Sequence, residues 1–104
     1  MDEKRVVGLI GLCARARLAV YGEEGCVGLV RSGRAALVLT DAGLSANGVK
    51  RYQDACRNRN VQMAVLAAGL IAKAVGKSGR MALALEKGGL CDQLISLTGA
   101  KVPE

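Results

Sequence analysis

The chain has 104 residues, enough for one domain and too few for two. At 51% hydrophobic and 23% charged it can build a packed core, which excludes a disordered chain; no run approaches the roughly 20 apolar residues of a membrane span. Fifteen Lys and Arg against nine Asp and Glu, a net charge of +6, favour a polyanionic partner, and nucleic acid is the commonest in the cytoplasm. Cytoplasmic localisation is expected, because Arg15 and Arg17 stand where a secretory cleavage site needs small residues.

Residues Asp2 to Arg15 read as a first helix, with Asp2 as its cap and Val6, Leu9, Ile10 and Cys13 as its apolar stripe. Gly8 and Gly11 on this helix predict close approach of another element. Leu18 to Tyr21 is a brief extended segment. Gly22 then breaks the chain before a second helix, whose first turn carries Glu23 and Glu24, where negative charge suits the dipole. Cys26, Val27 and Val30 give that helix its apolar face, and Gly33 stops it. Gly25 and Gly28 lie inside it, so either another element packs there or a ligand backbone approaches. Ala35 to Leu39 is an uncharged apolar run that suits a strand covered on both faces.

Asp41 follows that strand, where it shapes a turn or, less commonly, carries chemistry. Ser45 or Asn47 caps a third helix reaching about Asn58, with Val49, Tyr52 and Cys56 inward and Lys50, Arg51, Arg57 and Arg59 as a basic surface. Asn60 can end it in the left-handed conformation. A strand over Val61 to Leu66, a short helix over Ala68 to Val75, a polar loop over Gly76 to Arg80 and a strand over Met81 to Leu85 follow. The last helix begins at Gly88 and Gly89, and a loose tail is expected from about residue 98. Strands alternating with helices predict an α/β fold, with about four strands and helices on both faces.

The chemistry-bearing residue types narrow the function. The chain has no histidine, and its carboxylates show no paired spacing for acid–base work, so no catalytic residues and no cofactor are expected. Cys13, Cys26, Cys56 and Cys91 form no Cys-x-x-Cys pair; they read as reduced core residues, and no metal is expected. Gly76-Lys77-Ser78 resembles the end of a phosphate loop, but the position five residues before Gly76 holds Ile71, and the loop follows a helix and precedes a strand. Nucleotide hydrolysis is therefore excluded. Exposed amides with Lys77, Ser78, Gly79 and Arg80 suit a phosphodiester backbone instead. With Tyr21 and Tyr52 as the only aromatics, base stacking on an aromatic sheet face is excluded as well.

Several segments together resemble the ribosomal-protein superfamily of the large-subunit L-seven-Ae and L-thirty-e type, in its small bacterial YlxQ-like branch. They are Leu9-Ile10-Gly11-Leu12, Val20-Tyr21-Gly22-Glu23-Glu24, Val30 to Ala35, Leu37-Val38-Leu39 with Asp41, and Ala74 to Ser78. The resemblance covers nearly the whole chain. It implies a three-layer α/β/α sandwich with a central mixed sheet. It also implies a single RNA-binding domain, with a surface made from the helix start after Gly22 and the loop Gly76 to Arg80. Kink-turn binders of this type carry Gly-x-Asn-Glu and then a lysine three residues on. Here those positions are Gly22, Glu24, Gly25 and Gly28, so tight kink-turn recognition is not expected. The residue that commonly ends the preceding helix as glycine is Arg17.

The reading is a non-catalytic RNA-binding protein associated with the ribosome or another structured RNA, with no membrane partner. Its contacts are Gly22, Glu24, Lys77, Ser78, Gly79 and Arg80, with Arg31 and Arg34 as an outer basic rim. The alternative is a protein-interaction module that keeps the fold without RNA binding, suggested by Glu23, Glu24, Gly25 and Gly28.

Overall fold

In the computed structural model, which describes residues 2–104, the first helix α1 runs Glu3–Arg15. It starts where expected, with the Asp2 carboxylate accepting from Arg5 N at 3.1 Å. The chain leaves it through Arg17, whose φ of +58° places a non-glycine residue in the left-handed region. There Leu18 N donates to Cys13 O at 2.9 Å and Arg17 N to Ala14 O at 3.2 Å, satisfying carbonyls the helix leaves open. The remaining elements are β1 (Ala19–Tyr21), α2 (Gly22–Arg31), β2 (Ala35–Asp41), α3 (Ala46–Arg59), β3 (Gln62–Leu66), α4 (Leu70–Val75), β4 (Ala82–Glu86) and α5 (Gly89–Thr98). Ser45 caps α3 by accepting from Gly48 N, and Asn60 closes it in the left-handed conformation.

The strands form one mixed sheet in the order β1-β4-β2-β3. β4 is antiparallel to both of its neighbours, and β2 runs parallel to β3. Strand β2 sits inside the sheet and is buried on both faces, which explains its uncharged run from Ala35 to Thr40. Leu37 and Leu39 join Val6, Ile10, Ile71, Leu83 and Leu94 in one core layer, beneath α1, α4 and α5. Val38 points the other way, to Cys26, Val30, Tyr52 and Cys56 beneath α2 and α3. The expected three-layer sandwich is the one observed. A register shift between Ala35 and Leu37 lets Ala35 join the same layer as Val38, the strand's alternation being reset by the extra residue.

Three expectations are corrected. Gly11 does allow close approach, since a Cβ there would lie 3.3 Å from Ala74 O, but Gly8 faces nothing within 4 Å. The tail beyond residue 98 is not loose: Lys101 and Met63 exchange backbone bonds of 3.0 and 3.2 Å, and Arg57 Nε donates to Glu104 O at 2.7 Å. The cause is that β3 is an edge strand, and the tail satisfies some of its open groups. Finally, β2 extends two residues beyond the expected Leu39, because Thr40 and Asp41 pair with Val65 and Leu66 of β3.

Candidate nucleic-acid interface

One end of the sheet gathers the residues of interest. Tyr21, the last residue of β1, lies opposite Leu83, and Thr40 lies opposite Ala82 at the start of β4. The first turn of α2, the turn after Asp41 and the loop 76–81 therefore open at the same end. Gly22 begins α2 with φ +76°, so the chain turns sharply out of β1 directly into the helix. The Arg80 guanidinium carbon stands 4.4 Å from the centroid of the Tyr21 ring. Such a cation–π contact is worth about 0.5–1 kcal/mol at an exposed site. It fastens the loop to the residue before Gly22, so the two halves of the interface are adjacent. Lys77, Ser78 and Gly79 are exposed beside it, as are Gly22 and Glu24.

The acidic residues of the first helical turn differ. Glu23 accepts two bonds of 3.0 Å from Arg51 Nη1 of α3, which offsets its charge. Glu24 has no ion-pair partner among the described residues. The sequence marks Arg51 only as part of a basic helix surface, because its pairing across 28 residues has no local signal. Tyr21, which holds Arg80, was missed as a site residue for the same reason.

Arg31 and Arg34 do not form a rim around this site. Arg31 ends α2, ten residues long, and so lies about 14 Å along the helix axis from Gly22. Arg34 precedes Ala35, which faces Glu86 at the far end of β4. There its guanidinium makes a two-pronged pair with Glu86 at 3.0 and 3.2 Å. Strands β1 and β2 are each antiparallel to β4 and so run the same way, and α2 returns the chain between them, leaving both arginines at the opposite end of the sheet.

The two helical glycines have different causes. A Cβ on Gly25 would lie 2.9 Å from Cγ1 of Val20, so this position is closed by packing against β1. A Cβ on Gly28 would meet nothing within 4 Å. Gly25→Ala is therefore expected to destabilise the protein by about 1–2 kcal/mol, overpacking outweighing the gain in helix propensity. Gly28→Ala is expected to stabilise it by about 0.5–1 kcal/mol. Urea denaturation of the two variants measures both signs.

The two helix layers and the mixed sheet define a three-layer α/β/α domain whose loop and helix start meet at one end of the sheet. No family model matches the chain. It is 34% identical over 90 residues to the RNA-binding protein YlxQ of Bacillus subtilis (strain 168), spanning 86% of this chain and 90% of that protein, and it belongs to the YlxQ family. A solved structure of a protein with unknown function from Bacillus halodurans C superposes with a TM-score of 0.86 at 27% identity, covering 90% of this chain and 96% of that one. The 15.5kD RNA binding protein of Giardia lamblia superposes with a TM-score of 0.73 at 15% identity, covering 95% of this chain and 89% of that one, a likeness of fold. Among the described residues, no helix is long and apolar enough to cross a membrane.

Proposed function

We propose that this chain is a non-catalytic RNA-binding protein that holds a sugar–phosphate backbone, of ribosomal or other structured RNA, at the end of the sheet where Gly22 meets the loop 76–81. Lys77 and Arg80 supply charge, Ser78 and the amides around Gly79 set register, and the start of α2 forms the second wall. The observation that carries this reading is the Arg80–Tyr21 contact, which joins the basic loop to the helix start in a member of the YlxQ family. Glu24 and the side-chain-free Gly25 and Gly28 favour backbone over base-edge contacts, because none of them supplies a side-chain donor. The pairing of Glu23 with Arg51 removes part of the repulsion a phosphate would meet.

Gel shifts against structured ribosomal RNA fragments test the proposal. Binding is expected to weaken steeply with salt, and Lys77→Glu with Arg80→Glu is expected to reduce affinity about 100-fold, since each reversal replaces a phosphate contact by repulsion. Affinity that ignores both salt and the double variant overturns the reading. Partners retained after nuclease treatment would instead favour a protein-interaction module, the role an exposed, unpaired Glu24 suggests.

A further inference from the structure

Arg31, displaced from the loop, lies in a groove between α2 and α3. The groove has a volume of about 490 Å³, and Arg51, Asn58 and Arg59 line it from the α3 side. Its apolar lining is Val27 and Ala55. The acids bordering it are already engaged: Glu23 by Arg51, and Asp54 by Arg57 at 2.9 Å. Arg31 and Arg59 are exposed and have no ion-pair partner among the described residues. Arg59 also lines a second depression, of about 390 Å³, at the end of the sheet remote from Gly22. There Lys87, likewise without an ion-pair partner among the described residues, joins it, against the single lining acid Asp92. Three cations without an ion-pair partner among the described residues thus line two depressions joined at Arg59, with Asp92 the one acid among them that is likewise unpaired.

We infer that these joined depressions are a second RNA-contacting surface, which takes the phosphodiester backbone of another segment of the same structured RNA. The inference rests on the RNA-binding reading above. Guanidinium groups match phosphate oxygens with paired N–H donors, and the Asn58 amide adds a donor beside them. A protein partner fits less well, because Val27 and Ala55 are the two apolar residues in the lining, little to hold an anchoring side chain. Two surfaces at opposite ends let one small protein brace two RNA segments without reading base sequence.

The test is a comparison of Arg31→Glu with Arg59→Glu against Lys77→Glu with Arg80→Glu in the full chain, using a structured ribosomal RNA fragment retained in the gel shift. For the groove variant, affinity is expected to fall about 10-fold and the slope of log affinity against log salt to drop by about two, with an unchanged thermal melt. In a hydroxyl-radical footprint that variant is expected to lose one protected segment and keep the other. Wild-type affinity, salt slope and footprint in the groove variant overturn the inference and leave the proposed function standing if the loop variant still fails to bind. Indifference of RNA binding to both double variants overturns the two together. An RNA footprint insensitive to the groove variant, with a nuclease-resistant partner lost from it, assigns the groove to an acidic protein instead and overturns the inference.

Discussion

Replacing Asp41 with alanine is expected to lower the unfolding free energy by about 3 kcal/mol, because it strands two backbone donors that are held by a charged acceptor. Asp41 is 4% exposed and ends β2. Its Oδ1 accepts from Gly43 N at 2.7 Å, and its Oδ2 accepts from Gly69 N at 2.8 Å. One carboxylate therefore ties the turn after β2 to the start of α4, two connections far apart in the chain. Both oxygens are occupied by backbone donors, so this residue shapes the turn, as the commoner reading of an aspartate after a strand expects. Asp41→Asn is expected to cost nearly as much, since its amide nitrogen would face one of the same N–H groups. Urea denaturation checks both variants; a loss below about 1 kcal/mol would mean the two loops hold their places without the carboxylate.

The second large effect is alkaline unfolding between pH 9 and 11. Burial pushes the Cys26 thiol up to about 12, with the nearby Cys56 adding to the shift, and pushes Cys56 and Cys91 up to about 11. Burial, then the neighbouring Cys26 and Glu23, raises Tyr52 to about 12. In the unfolded chain these groups ionise near 9 and 10. Above pH 9 the folded state binds more protons than the unfolded one, so stability, fully present below that pH, falls as pH rises through the folded values. Each unit of difference is worth about 1.4 kcal/mol, so by pH 11 the four groups together remove an amount comparable with a small domain's whole stability of roughly 5–15 kcal/mol. Thermal melts from pH 7 to 11 measure the slope. Cys26→Ala with Cys56→Ala should flatten it; a melting temperature constant to pH 11 would contradict the buried, protonated thiols.

Much of the fold is legible along the chain because it is written in short-range chemistry. Asp2, Ser45 and Asn60 mark helix ends through bonds to residues at most four away. The charge-free run in β2 announces a strand covered on both faces, and every cysteine sits on an apolar stripe. The candidate site is half legible. Gly22 and the loop from Gly76 to Arg80 stand out as turn and phosphate chemistry, but nothing near Arg80 in sequence points to Tyr21. Gly25 and Gly28 look alike on paper, and only the position of Val20 separates a packed glycine from an open one.

From its residues alone, the chain's elements, its layering, its buried thiols and its basic character follow, because caps, periodicity and net charge depend on neighbours within a turn or two. Which cations act together was settled only in three dimensions. Strand β4 enters antiparallel between β1 and β2, a pairing that depends on the packing of the whole sheet. That single insertion brings Arg80 to Tyr21 and Gly22 and hands Arg34 to Glu86, while the packing of α2 on α3 puts Arg31 in the groove between them.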